Sequence, residues 1–464
     1  MTPDATTRPA RPAVYFHTLG CEKNTVDSEH MVGLLLQAGF HTVGDPAEAD
    51  VAVVNTCAFL QSAVRESRDV IADIAAFKER GRLRRLIVVG CLAQRAGAAL
   101  LEEMPEVDAV VGTGNWSEIA RVAECLLQSG AARPALLDRP GGALEARGPR
   151  PLSTPAHLAY LKISEGCDQR CSFCVIPQLR GRQRSRPLED IVAEARRLAA
   201  AGVREVTLIG QDTTAWGADL EGRPGLEDLL EALDRVADLT WVRVQYTYPR
   251  RWTDRLVRVW AGARRVVPYV DLPLQHVAAD LLRAMGRGMT GEATRGLVRR
   301  IRDGIPGVSL RTSFIVGFPG ETEAHFEELL RFVEEEPFEH LVVFPFEREP
   351  GTAAWDLTPR VPLTVRRSRR ARLMEVQQGL SRARNVRRVG ERVTVMIDGP
   401  LGRNQYAART AGSAFEVDGG VVVEGRDLVP GTLVQARVTG AAAYDLFARV
   451  EADGPILQLA KGIA

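Results

Sequence analysis

The chain has 464 residues, 45% hydrophobic and 26% charged, with a formal net charge of +1, an ordinary globular composition long enough for two to four domains. The near-neutral balance excludes a global polyanion signal, and without a run of about 18 apolar residues no membrane span is expected. The opening MTPDATTRPARPAVYF has no basic end followed by an apolar block and is not read as a secretory signal, so the seven cysteines are expected to be reduced thiols in the cytoplasm, not disulfides. Only four of the 60 basic residues are lysine (Lys23, Lys78, Lys162, Lys461); with the abundant alanine, this arginine bias points to a GC-rich genome more than to function.

The first segment alternates strand and helix. VYFHTLG (14–20) is strand-like, and Asn24 is placed as the cap of a helix running through MVGLLLQAG. DVAVVNTC (50–57), LIVVGC (86–91) and VDAVVG (107–112) are further strands, each followed by a helical pattern, the last being SEIARVAECLLQ. This rhythm predicts a parallel sheet covered by helices over 13–130. Residues 131–155, rich in Pro, Gly, Ala and Arg without a period, read as a linker. A second series follows over 156–380, with strands LAYLKIS, REVTLIGQD, WVRVQY, VVPYVDLPL, VSLRTSFIVGF and HLVVFPF. Six strands with short helical crossovers predict an open (β/α)6 barrel of the TIM type, with chemistry at the C-terminal ends of the strands. Between Arg366 and Arg392 ten arginines face only Glu375 and Glu391, either a solvated helical face or a polyanion contact. Over 386–453 short alternating runs split by Gly-rich turns predict a small all-β barrel. The fold class is α/β overall, in three parts.

Six of the seven cysteines fall into two sets. GCDQRCSFC (166–174) carries Cys167, Cys171 and Cys174. Helical spacing would place the three thiols on one face, but Gly166, Pro177 and the intervening polar residues favour a loop leaving the first barrel strand. A closed zinc site needs four ligands, and His157 lies at the wrong end of that strand. A 4Fe-4S cluster held by three thiolates keeps one iron open, so the missing fourth ligand is read as the working position. The second set, Cys21, Cys57 and Cys91, ends three successive strands of the first segment. In a parallel sheet those ends share one edge, where ligands bind, so a shared metal site is expected there, of iron–sulfur or zinc. Cys125 lies on a helix and is read as packing or without a role.

CxxxCxxC after the first strand of a βα barrel resembles the radical S-adenosylmethionine (SAM) superfamily. That resemblance implies that SAM chelates the open iron. It places Phe173 beside SAM, Gly210 and Gln211 of GQD near its amino group, and Gly317 and Glu321 of FIVGFPGET by its adenine. Two three-cysteine sites with a small β domain behind them resemble the methylthiotransferase family, the last domain being similar to a TRAM domain. The implied activity is insertion of a methylthio group into an unactivated C–H bond, with two 4Fe-4S clusters bound by the six cysteines. SAM then serves as both radical source and methyl donor. A non-catalytic iron–sulfur scaffold that binds ribosomes is the reading from another class.

The family divides between tRNA adenosine modifiers (MiaB-like) and a branch (RimO-like) that acts on an aspartate β-carbon of small-subunit ribosomal protein S-12. TLGCEKNTVDSEHM (18–31), YLKISEGC (160–167) and VDLPLQH (270–276) resemble the RimO-like branch, while FEREPGT (346–352) departs from its usual pattern. From Glu391 to Glu451 six arginines stand against eight acids, a balance better suited to a basic protein partner than to tRNA. The implied partners are S-12 or the small subunit, a cellular electron donor and, through the arginine-rich stretch, ribosomal RNA.

Overall fold

The computed structural model describes residues 11–128, 133–141 and 150–451, in two compact units. The first comprises the described residues to Ser153 together with Glu165–Asp168 and Cys174–Arg182, and the second comprises the remainder from Thr154 onward.

The first unit is a parallel sheet with strand order β2-β1-β3-β4-β5-β6. Its strands are β1 (Ala13–Thr18), β2 (His41–Val43), β3 (Val51–Thr56), β4 (Arg85–Gly90), β5 (Ala109–Val111) and β6 (Ala135–Leu136). The connecting helices are α1 (Glu22–Gln37), α2 (Gln61–Ala75), α3 (Phe77–Arg80), α4 (Cys91–Ala96), α5 (Ala99–Glu103) and α6 (Ile119–Gln128). Strands β3 and β4 read as continuous apolar runs because helices cover both faces. Val51, Val53, Ile87 and Val89 pack with Met31, Leu35, Ile119 and Val122 on one side. The alternating Ala52, Val54, Leu86 and Val88 pack with Ile71, Leu92 and Leu100 on the other. The strand order reverses direction between β1 and β3, which opens a crevice at their carboxyl ends. Helix α7 (Ile176–Arg180) packs against α4, and Val175 and Leu179 enter the second of these cores.

Strand β6 falls within the stretch read as a linker. It pairs with β5 through Val110↔Ala135 and Val111↔Leu136, and Arg133 fixes the approach by donating to the carbonyls of Val107 (2.7 Å) and Leu101 (2.8 Å). Two residues are too few to show a period, so the sequence carries no sign of it. Residues 131, 132 and 142–149 of that stretch lie outside the described residues.

In the second unit β7 (Leu158–Lys162) and the two-residue strands β8 (Ser164–Glu165) and β9 (Arg184–Ser185) precede β10 (Glu205–Ile209), β11 (Trp241–Val244), β12 (Tyr269–Asp271), β13 (Ser309–Val316) and β14 (His340–Pro345). The six longer strands form two parallel runs, β11-β10-β7 and β12-β13-β14, linked by a bridge between Val242 and Val266. The helices between them are α8 (Leu188–Ala200), α9 (Leu226–Asp234), α10 (Asp254–Gly262), α11 (Ala279–Ala284), α12 (Gly291–Gly304) and α13 (Glu323–Glu335). This is the expected open (β/α)6 order. Helix α14 (Leu363–Arg387) absorbs much of the arginine run: Arg369 pairs with Glu321 (2.8 Å), Arg372 with Glu327 (2.7 Å), and Arg384 donates to the Glu339 carbonyl (2.8 Å).

Strands β15 (Arg392–Gly402), β16 (Gln405–Arg409), β17 (Val421–Glu424), β18 (Leu433–Ala441) and β19 (Leu446–Val450) close a barrel in the order β15-β16-β17-β19-β18. Alternate residues such as Val393, Val395 and Ile397 fill its interior. This small barrel caps the N-terminal ends of the larger one. His157, just before β7, bonds Asp398 (3.0 Å), and Arg409 joins Asp398 (2.8 Å) to Glu205 (2.8 Å), the first residue of β10. Glu205 also takes Arg243 of β11 (2.8 Å). Tyr269, Ser309 and His340, which begin β12, β13 and β14, bond Asp418 (2.8 Å) and the Gly412 carbonyl (2.8 and 2.7 Å). No helix among the described residues is long and apolar enough to cross a membrane.

Candidate metal centres

Cys21, Cys57 and Cys91 follow the carboxyl ends of three adjacent strands, β1, β3 and β4, at the point where the strand order reverses. Cys21 is the N-cap of α1, and Cys91 is the first residue of α4. The expected cap, Asn24, has a different task. Its Nδ2 donates to the carbonyls of Leu19 (2.8 Å) and Thr56 (3.0 Å), joining the strand ends that lead to Cys21 and Cys57. Thr56 Oγ1 continues the tie by donating to the Val89 carbonyl (2.6 Å) and accepting from the Leu92 N–H (3.2 Å), on either side of Cys91. The backbone approaches closely here. A Cβ on Gly90, whose φ is +91°, would stand 2.3 Å from Asn55 Oδ1, so glycine is required. A Cβ on Gly20 would stand 3.2 Å from Cys57 Sγ, which shows how near the first two sulfurs' strand ends lie.

Burial pushes the Cys91 thiol up to about 11 and raises Cys57, while the buried guanidinium of Arg180 pulls both back. A bound cation would supply the missing counter-charge and release those protons. Arg180 is the last residue of α7 and donates to Asp27 Oδ2 (2.8 Å), Glu165 Oε2 (3.0 Å) and Asn24 Oδ1.

The loop after β7 is held residue by residue. Gly166 has φ +78°, and a Cβ there would lie 2.0 Å from the Arg182 carbonyl; the Cys167 N–H donates to Gly181 (3.1 Å). Cys174 Sγ accepts from the Ile176 N–H (3.5 Å). Gln169 donates to Asp212 (2.8 Å), and the Ser172 N–H donates to the Met285 carbonyl (3.0 Å). Cys171 Sγ lies 3.6 Å from Arg287 Nη1, and that guanidinium stacks 4.2 Å over the Tyr248 ring. Burial pushes the Tyr248 phenol up to about 12. All seven cysteines are thiols, not disulfides, and Cys125 is exposed on α6. Two all-thiol donor sets fit iron–sulfur clusters by donor softness.

The residues expected around SAM sit at the same strand ends. Gly210 follows β10, where a Cβ would meet Ser164 Oγ at 2.5 Å, and half-buried Gln211 lies between it and Asp212. Phe173 packs against Leu281, Met285, Phe318 and Phe346. Gly317 follows β13 with φ +75°. Glu321 is turned inward: its carboxylate accepts from the Gly317 N–H (2.6 Å) and Arg369 (2.8 Å), bracing the FPGET turn with protein groups alone. Burial raises its pKa. Thr322 caps α13 through the His325 N–H (3.3 Å). Asn24, Thr56, Arg180, Arg287 and Tyr248 were not marked as site residues from the sequence.

Three family models match the chain: "Uncharacterized protein family UPF0004" over 13–112, "Radical SAM superfamily" over 161–333 and "TRAM domain" over 389–450. Among curated proteins, a ribosomal protein uS12 methylthiotransferase RimO of Anaeromyxobacter sp. (strain K) is 48% identical over 95% of this chain and 94% of its own length. The Myxococcus xanthus protein of the same name is 45% identical over 94% and 91%. The solved structure of the radical SAM methyltransferase TsrM from Kitasatospora setae aligns with a TM-score of 0.54 at 17% identity, covering 74% of this chain and 75% of that one, a likeness of fold. The fold and the paired thiol sets define a radical SAM enzyme with two iron–sulfur centres. The chain belongs to the RimO family of methylthiotransferases.

Proposed function

We propose that this protein inserts a methylthio group at the β-carbon of an aspartate in ribosomal protein uS12, in the cytoplasm, drawing on a cellular electron donor. The observation that carries this reading is the presence of two separate all-thiol trios, one at the reversal point of the first sheet and one after the first strand of the (β/α)6 unit. Cys21, Cys57 and Cys91 would hold the auxiliary 4Fe-4S cluster, and Cys167, Cys171 and Cys174 the one that binds SAM. When bound, the clusters and SAM supply the radical that removes hydrogen from an unactivated carbon, and the sulfur and methyl group that replace it.

The chain's own residues prepare for that chemistry. Asn24 and Thr56 fix three strand ends in register, so the auxiliary ligands need little rearrangement. Arg287 holds a positive charge at Cys171, and its guanidinium also meets the Tyr248 ring and the Pro273 carbonyl. Gly210, Gln211 and Gly317 would border SAM and Phe173 would flank it, with Glu321 acting through the turn it braces. Tyr246 (φ +62°) and Gln275 (φ +72°) keep left-handed backbone at the ends of β11 and β12, strain of the kind that surrounds reacting groups.

Charge on the small barrel supports a protein substrate. Arg449 is paired with Glu424 (2.8 Å), Arg392 and Arg437 with Glu451 (2.8 and 2.6 Å), and Arg409 is buried. These arginines are engaged by acids, whereas phosphate binding needs them free. The test is anaerobic reconstitution with SAM, sulfide and reductant, offering unmodified small ribosomal subunits or unmodified tRNA, followed by mass spectrometry. A methylthio group on uS12 is expected; a gain on tRNA alone would overturn the substrate reading.

A further inference from the structure

Arg180 is 2% exposed, and a guanidinium so deeply buried needs compensating partners. Two carboxylates, Asp27 and Glu165, supply them, and Asn24 offers its side-chain oxygen. A purely structural ion pair would end there. Arg180 instead also places its positive charge where it favours the ionised Cys57 and Cys91 thiols. The same Asn24 that accepts from Arg180 ties the strand ends before Cys21 and Cys57, so the guanidinium is fixed relative to those two strand ends.

We propose that Arg180 is a positioning residue of the auxiliary centre: held by Asp27, Glu165 and Asn24 at the strand ends that carry the cysteines, it sets the charge felt by the iron bound there. The inference rests on the ligand assignment of Cys21, Cys57 and Cys91. Hydrogen bonds and positive charge at cluster sulfurs stabilise the reduced, more negative state. Arg180 therefore raises the reduction potential of the auxiliary cluster, and its two carboxylates moderate the effect. Removing the guanidinium exposes the sulfurs to two uncompensated negative charges, whereas removing one carboxylate does the reverse. The two changes have opposite signs, which loss of packing alone would not produce.

The experiment is a redox titration followed by electron paramagnetic resonance on the full-length chain after anaerobic reconstitution. A Cys171→Ala background leaves the auxiliary cluster as the source of the signal, and iron per chain is measured alongside. Arg180→Gln is expected to lower the midpoint potential and Asp27→Asn to raise it, with Arg180→Lys closest to the parent. Midpoints that coincide with the parent in Asp27→Asn and Arg180→Gln, with iron retained, would overturn the proposal. If Arg180→Gln loses its iron, Asp27→Asn decides: a raised midpoint sustains the proposal and an unchanged one refutes it. Failure of the ligand assignment looks different, because iron would then be absent from the Cys171→Ala parent or would survive Cys91→Ala.

Discussion

Replacing Asn24 by alanine should unfasten the auxiliary site while leaving SAM cleavage in place. The change removes two neutral hydrogen bonds, to Leu19 and Thr56, at about 1 kcal/mol each, and one to the Arg180 guanidinium at about 2 kcal/mol. The first unit should therefore lose about 4 kcal/mol. Loss of a hydrogen bond that orients a metal ligand typically weakens metal binding by about 10- to 100-fold, and here two ligands are released from register. Iron retained by the full chain after gel filtration against a chelator, read in a Cys171→Ala background, should fall sharply. SAM cleavage by Asn24→Ala with Cys171 intact should continue. Asn24→Asp keeps the acceptor for Arg180 but loses both donors, and should lie between the two. If Asn24→Ala held auxiliary iron as firmly as the parent, the strand-end tie would not be what organises these cysteines.

The small barrel's docking should be acid-sensitive. Arg409 and Arg243 overcome the burial of Glu205 and hold its carboxyl at about 2, below its ordinary 4.5. At about 1.4 kcal/mol per tenfold change in proton affinity, that contributes about 3 kcal/mol, present in full above pH 4.5 and lost as pH falls toward 2. Denaturant melts at pH 6 and pH 3 should differ by about 2 kcal/mol through this group, because about 1 kcal/mol still remains at pH 3, and Glu205→Gln should remove that difference. At neutral pH Glu205→Gln should cost about 3 kcal/mol, because it takes the carboxylate from buried Arg243 and leaves buried Arg409 with Asp398. Gly90→Ala should destabilise the first unit by about 2 kcal/mol or more through its left-handed φ and the Asn55 contact, measurable as a shift in urea midpoint. Cys125→Ala, on an exposed position of α6, should leave iron content unchanged.

The two βα series, the closing β barrel and the place of Cys21, Cys57 and Cys91 after three strands are legible because their signals are local: repeated apolar runs, three of them ending in a thiol. The ties between strand ends are not. Asn24 has the composition of a helix cap, and only the folded sheet reveals that its amide reaches back to Leu19 and across to Thr56. Arg180 lies more than 150 positions from Asp27 and Asn24, so no pattern in sequence could pair them, although both partners sit inside stretches quoted for the family resemblance. The sequence of FPGET likewise does not reveal that the Glu321 carboxylate accepts from the Gly317 and Phe318 N–H groups of its own turn. The docking of the small barrel on the N-terminal ends of the six strands depends on residues scattered from His157 to Asp418, beyond any window of sequence.

The central claim is a division of labour between the two cysteine trios, and one paired measurement tests it. Cys57→Ala and Cys171→Ala are reconstituted without oxygen and given SAM, reductant, sulfide and small ribosomal subunits; 5′-deoxyadenosine and methylthiolated uS12 are then quantified from the same reaction. The account predicts that Cys171→Ala forms neither product, while Cys57→Ala cleaves SAM and leaves uS12 unmodified. Normal methylthiolation by Cys57→Ala, or SAM cleavage by Cys171→Ala at the parent's rate, would contradict it.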